Sequence, residues 1–383
     1  MKKSTTALHR GLPTGSGGPF MSGPVFASAY HLSGDPGPAP HAYARSTNPT
    51  WTHLEEALGA LEGGRARVFP SGMAAISAVL TVLLEPGPLE PDPLEPGPLE
   101  AGMSLVLPSD GYPLTRELAH THLAPRGIDV IELPTAGLEG ADLPENLGLL
   151  WLETPSNPML DVCDIEALAA RAHAAGALVV VDNTTATPYL QSPLELGADV
   201  SVSSDTKAVS GHSDVLLGHV ATRSDEVLDA VTRWRTLNGA IPGPMETWLA
   251  HRGLLTIGVR VDRQVETAGL VVRLLVGHPA VHEVHYPGLA GEHAAGLVRR
   301  QMAAPGFLIG FTLADAEAAR RFLERTCLVY EATSFGGVHT SAERRARWGT
   351  DEVPEGFIRL SVGLEHPDDL LADLRGALDA IGD

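Results

Sequence analysis

Lysine is almost missing from this sequence. Of 383 residues 27 are Lys or Arg, yet only Lys2, Lys3 and Lys207 are lysine. Two of these stand at the extreme N-terminus, where chains are commonly loose. That leaves Lys207 as the lysine expected in the folded body. Cysteine is nearly as scarce: Cys163 and Cys327 are too few for a disulfide framework and match no metal-ligand spacing. A reducing, cytoplasmic setting without a metal is therefore expected. No apolar run reaches transmembrane length, and the first residues lack the apolar stretch of a signal peptide. Positive charge is short overall, with a formal net charge of −20. That argues against nucleic acid and against an anionic membrane surface as partners.

What is present points to an α/β enzyme. The first fifty or so residues are rich in Gly, Pro and Ser and read as an extended arm. The expected division is an arm over 1–58 that contacts a neighbouring subunit, a large domain over 59–250 and a C-terminal domain over 251–383. Residues 84–100 repeat a Leu-Glu-Pro pentad whose prolines exclude helix and sheet, so they read as an acidic surface insertion. Apolar runs at Arg65–Phe69, Ser104–Leu107, Gly148–Leu152, Ala177–Val181 and Asp199–Ser203 alternate with helical patterns. Such alternation predicts a mostly parallel, buried sheet with functional groups at the strands' carboxyl ends. A broken helical stretch from about Met245 to Leu275 leads to a smaller α+β unit, with strands at Phe307–Phe311 and Phe357–Val362.

Five features then converge on one chemistry. Lys207 is the amine that could lose its proton and attack a carbonyl, which arginine cannot do. Asp182 follows Val180-Val181 at a strand end, where a buried carboxylate needs a cation such as a pyridinium nitrogen; a turn or N-cap aspartate is the alternative. Ser71-Gly72-Met73 opens a helix whose free N–H groups suit a phosphate, with Ser71 as the N-cap. Ser204 and Thr206 flank the lysine as hydroxyl donors, or as plain turn residues. Tyr112 could stack on a planar ring, or be a half-buried core tyrosine.

At these residues the chain resembles the Cys/Met-metabolism family of pyridoxal-phosphate enzymes. The resemblance runs through Tyr43-Ala44-Arg45, Ser71-Gly72-Met73, Glu153-Thr154-Pro155-Ser156-Asn157-Pro158 and Val181-Asp182-Asn183-Thr184. It continues through Thr206-Lys207, Gly211-His212-Ser213-Asp214 and Arg359-Leu360-Ser361-Val362-Gly363. It implies a fold type I, aspartate-aminotransferase-like architecture, pyridoxal 5′-phosphate on Lys207, and a homotetramer of active dimers. It further implies that Tyr43 and Arg45 reach the phosphate of a neighbouring subunit. Gly72, Met73, Ser204 and Thr206 would hold that phosphate from within, Tyr112 would stack on the ring and could act as a base, and Asn157 would bond the ring hydroxyl. Arg359 would clamp the substrate carboxylate, with Ser334 nearby. The activity it implies is that of a cystathionine γ-lyase; the alternative is γ-replacement, by a cystathionine γ-synthase or an O-acetylhomoserine sulfhydrylase-type transferase.

Three departures from the family pattern stand out. Pro113-Leu114 follows Tyr112 where the family has Gly-Gly, or Gly-Cys in methionine γ-lyases. Thr333 stands where cystathionine-handling members often have Glu. After Gly337 the usual His-Pro stretch is replaced by a shorter segment with a basic run, Arg344-Arg345-Arg347, read as a solvated or subunit-facing surface.

Overall fold

The computed structural model describes residues 1–35, 39–84, 102–289 and 291–381. Helices α1 (Lys3–His9) and α2 (Pro49–Glu62) precede β1 (Arg65–Phe69), and α3 (Gly72–Leu84) follows. Then come β2 (Ser104–Pro108), α4 (Pro113–Leu118), β3 (Asp129–Leu133), β4 (Leu147–Glu153), α5 (Ile165–Ala174) and β5 (Leu178–Asp182). The large sheet ends with α6 (Thr187–Leu190), β6 (Val200–Ser203), β7 (Gly218–Thr222) and α7 (Asp225–Asn238). Its strand order is β1-β7-β6-β5-β4-β2-β3. Only β7 runs antiparallel to its neighbours. Leu149, Leu150, Trp151 and Leu152 of β4 are all buried, as are Val179, Val180 and Val181 of β5. Strands apolar on both faces need cover on both faces, and crossover helices supply it: α3 and α7 on one side, α5 on the other.

Helices α8 (Pro244–Leu254) and α9 (Ile257–Val276) lead to the second sheet. It is built from β8 (Glu283–His285), β9 (Leu308–Thr312), β10 (Tyr330–Glu331), β11 (Ser341–Arg344) and β12 (Phe357–Ser361), with helices α10 (Gly291–Gln301), α11 (Ala316–Arg325) and α12 (Pro367–Asp379). The order is β10-β11-β12-β9-β8. Helix α9 serves two cores. Ile257 and Val261 pack against α2 and α8, while Ala268, Val271 and Leu275 pack against the second sheet. The architecture is α/β with a mostly parallel central sheet and a smaller sheet unit behind it.

The N-terminal region differs from the expected extended arm at both ends. Lys3 belongs to the folded body: its ammonium donates to the carbonyls of Pro188 and Gln191, and burial lowers its pKa. Helix α2 carries core side chains, with Trp51, Leu54, Ala57 and Leu58 buried. Asn48 caps it by accepting the Thr50 N–H at 2.8 Å, and Pro49 starts it. Apart from Leu84, the buried last residue of α3, the Leu-Glu-Pro repeats lie outside the described residues.

Candidate active site

Strands β4, β5 and β6 end side by side. Their register pairs Glu153 with Asp182, and Asp182 with Val202. Just beyond them a cavity of about 310 Å³ opens. It is lined by Gly72, Met73, Tyr112, Asn157, Asp182, Ser204, Thr206, Lys207, Ser334 and Arg359. Ten of the residues singled out in the sequence thus share one chamber. Tyr43 and Arg45 do not line it. Tyr43 is half exposed, and Arg45 lies against its ring and donates to the Thr236 carbonyl at 3.0 Å.

One wall is built from the start of α3. Ser71 Oγ accepts the Ala74 N–H at 3.1 Å, which makes it the cap expected from the sequence. The first helix amides, at Gly72 and Met73, have no intrahelical acceptor. Gly72 lies so close to the loop after β6 that an added Cβ would sit 2.8 Å from Ser204 Cβ. Thr206 Oγ1 donates to the Leu217 carbonyl at 3.1 Å and accepts its N–H at 3.0 Å, so its hydroxyl proton is already engaged.

The floor carries two carboxyls. Glu153 Oε2 accepts the Tyr112 N–H at 2.7 Å. Burial, with Asp182 beside it, pushes the Glu153 carboxyl well above the usual carboxylate range. Burial raises Asp182 too, but hydrogen bonding from Thr184 and the charge of Lys207 pull it back. Of the two, Glu153 is pushed up the further, and Asp182 has the neighbours that favour its charged form. Burial and these carboxyls also raise the Tyr112 phenol.

Lys207 reaches into the middle. Its Nζ donates to Ser334 Oγ at 2.8 Å and lies 5.3 Å from the centre of the Phe335 ring. Burial, with Arg359 nearby, lowers its pKa to about 8, against the pull of Asp182 and Glu343. Ser334 holds a left-handed φ of 82°, a conformation rare for a residue with a side chain. Its carbonyl accepts from Arg359 at 3.2 Å, so one strained residue joins amine and guanidinium.

Arg359, on β12, donates to Asn157 Oδ1 at 2.5 Å and to Glu343 Oε1 at 2.5 Å. Arg345 overturns its sequence reading. It is buried at 7% exposure, lines the cavity, and pairs with Glu343 and Asp351. The sequence missed it because a basic run on a loop normally faces water. Glu343 and Asp351 were missed for the same reason: nothing in the chain's order pairs them with Arg345. Arg344 is half-buried and pairs with Glu355, whereas Arg347 is exposed and pairs with Glu331.

A second buried cluster lies behind the lysine loop. The His219 ring, on β7, contacts Asp205 Oδ1 at 2.7 Å through Nδ1 and Glu62 Oε1 at 3.1 Å through Nε2. Only a doubly protonated ring can donate to both acceptors. Despite burial, the two carboxylates lift His219 to about 10. Asp205 stands between Ser204 and Thr206, so this cluster anchors the loop that carries Lys207.

Pyridoxal phosphate, expected from the sequence, fits this donor set. An amine of lowered pKa stands across the chamber from a buried carboxylate, and Ser204 and the amides of Gly72 and Met73 offer donors to an anion.

Comparison with known proteins agrees. The sequence profile of the Cys/Met metabolism PLP-dependent enzymes matches residues 5–379. A Streptomyces coelicolor protein bearing the name "Putative cystathionine gamma-lyase" is 51% identical over 381 residues, 98% of this chain and 93% of its own length. Among solved structures, metB from Corynebacterium glutamicum superposes with a TM-score of 0.91 at 34% identity, covering 100% of this chain and 98% of its own. CalE6 from Micromonospora echinospora, described as a methionine gamma lyase, gives 0.86 at 39% identity, with 99% of both chains covered.

Proposed function

The chain belongs to the Cys/Met metabolism PLP-dependent enzymes, and from that premise we propose that it is a cystathionine γ-lyase. The reaction takes L-cystathionine and water to cysteine, 2-oxobutanoate and ammonia. When bound, the pyridoxal ring supplies an electron sink that lets carbon next to the substrate nitrogen lose a proton. The observation that carries the reading is the placement of Lys207, whose Nζ lies 2.8 Å from Ser334 Oγ in the chamber it shares with Asp182 and Arg359. Elimination at the γ position needs a base that takes protons from Cα and Cβ in turn near neutral pH. An amine lowered to about 8 matches that task.

The other residues orient. Arg359 receives the substrate α-carboxylate and Ser334 steers the lysine amine. Asn157 Oδ1 already accepts from Arg359 Nη1, which leaves its Nδ2 for the ring hydroxyl. Asp182 ionises against the ring nitrogen. Ser204 and the amides of Gly72 and Met73 take the phosphate, and Tyr112 closes over the ring. Tyr43 and Arg45 lie outside their own chain's chamber, which supports their reaching a neighbouring subunit's phosphate within a homotetramer.

A γ-replacement reading is favoured by the similarity to a Mycobacterium tuberculosis protein named "Cystathionine gamma-synthase", 36% identical over 388 residues, 98% of this chain and 96% of its own length. Product analysis separates the two. The enzyme is incubated with L-cystathionine, and separately with O-acetyl- or O-succinylhomoserine plus a thiol. Release of 2-oxobutanoate in the first and no thioether in the second is the expected result. Thioether formation without oxo acid would replace the lyase by the transferase.

A further inference from the structure

Arg359 is not free to greet a substrate. In this structure it already has an internal anion, Glu343, and Glu343 is shared. Its Oε1 accepts from Arg359 Nη2 at 2.5 Å and from Arg345 Nη1 at 2.8 Å. Its Oε2 accepts from Trp348 Nε1 at 2.9 Å, with the more distant and more exposed Arg347 Nη2 at 3.4 Å. Arg345 is anchored from behind, with Nε donating to Asp351 Oδ2 at 2.8 Å and Nη2 lying 2.6 Å from the same oxygen. The side chains of Glu343, Asp351 and Arg345 are only 1%, 3% and 8% exposed. Charges sequestered like this interact far more strongly than surface pairs. Burial alone would raise the Glu343 carboxyl, but Arg359, Trp348 and Arg345 outweigh it and hold it below the usual range.

A substrate carboxylate brings a further anion to Arg359. With one guanidinium for two carboxylates, Glu343 and the substrate would compete, and the internal one is tethered. Arg345 removes the competition, because Glu343 can shift its weight to Arg345 when Arg359 turns to the substrate. We propose that Arg345 is a positioning residue for substrate binding, acting as the alternative counter-ion that releases Arg359 from Glu343. It touches no reacting atom. The proposal rests on the reading of Arg359 as the carboxylate clamp.

The test uses the holoenzyme with L-cystathionine for KM and kcat. L-alanine, which offers the same amine and carboxylate but no γ-substituent, is titrated by the visible spectrum of the bound coenzyme, so the readout survives even if cystathionine is not the substrate. Arg345→Gln is expected to raise KM and the L-alanine dissociation constant at least ~10-fold while kcat stays within ~3-fold. Adding Glu343→Gln removes the competing anion and is expected to return both constants to within ~3-fold of the parent, a non-additive rescue. A merely structural Arg345 would give no rescue, and additive losses overturn the proposal, as does an unchanged KM in Arg345→Gln. If Arg345→Gln does not fold, Arg345→Lys is compared in the same cycle. It is expected to raise the L-alanine constant by ~3-fold, and Glu343→Gln to abolish that rise; an unchanged constant, or a rise that Glu343→Gln leaves in place, overturns the proposal. Arg359→Gln separates the two ideas. If it leaves L-alanine binding intact, the clamp reading fails and this proposal with it. If it weakens binding while Arg345→Gln does not, only this proposal fails.

Discussion

Setting Lys207 beside Arg359 makes the amine easier to deprotonate, because a second positive charge nearby penalises the ammonium. Burial acts in the same direction, and together they bring it to about 8. Covalent capture of pyridoxal phosphate by the apoenzyme needs the neutral amine, so its rate should climb with pH and level off above a midpoint near 8. In Arg359→Gln the neighbouring cation is gone, while Glu343 stays paired with Arg345. Loss of that cation favours the ammonium, so the midpoint should move to higher pH. Stopped-flow absorbance across a pH series measures this, and a midpoint that stays or falls would contradict the charge argument. At this scale the sequence was legible where scarcity marked a residue. Lys207 was visible because 24 of the 27 basic residues are arginine. His219 was not, because its partners Asp205 and Glu62 lie 14 and 157 residues away, and neither was the pairing of Glu343 with Arg359, 16 residues on.

Among the elements, the first turn of α3 depends most on a single atom's absence. Gly72 packs against Ser204 so closely that a methyl group would meet its Cβ at 2.8 Å and its Oγ at 3.0 Å. Gly72→Ala must therefore push the helix start away from the loop after β6. Both segments offer donors to the phosphate, so the coenzyme should bind more weakly. Overpacking of about 1–3 kcal/mol corresponds to a loss of roughly 5- to 150-fold in affinity, read by equilibrium dialysis of the holoenzyme. Wild-type affinity would mean that the two segments do not act together on the phosphate. The strands β2, β4, β5 and β6 were readable as short apolar runs because both their faces are covered. The antiparallel course of β7 was not, since a buried strand carries no mark of its direction. Helix α2 was missed because the Gly- and Pro-rich residues before it drew the arm's boundary too far along the chain.

For the whole molecule, the proposed reaction requires two sheets to be held at a fixed distance, since Lys207 comes from the large one and Arg359 from β12 of the small one. Arg260 on α9 is the tie. It donates through Nη1 to the Ala208 carbonyl at 2.8 Å, and through Nη2 to the carbonyls of Gly253 at 2.7 Å and Val209 at 3.2 Å. One side chain thus stitches the helix shared by both cores to the residues directly after Lys207. Gly211 makes room for it: its φ is +73°, and a Cβ there would lie 1.9 Å from Arg260 Nη1. That explains the glycine in Gly211-His212-Ser213-Asp214 as an accommodation to a residue 49 positions later, which the motif alone could not disclose. Burial lowers the Arg260 pKa to about 10, so it stays charged at neutral pH. Arg260→Met keeps the length and removes the donors; Gly253 keeps Thr256 as a partner, but the Ala208 and Val209 carbonyls lose theirs at a cost of about 1–3 kcal/mol each, partly offset by no longer burying a charge. A net loss of about 3 kcal/mol is expected in denaturant unfolding. Because the freed segment begins beside Lys207, the proposed base, kcat should fall along with stability. A variant that unfolded earlier yet turned over substrate at the parent rate would show that α9 holds the molecule together without setting the position of Lys207.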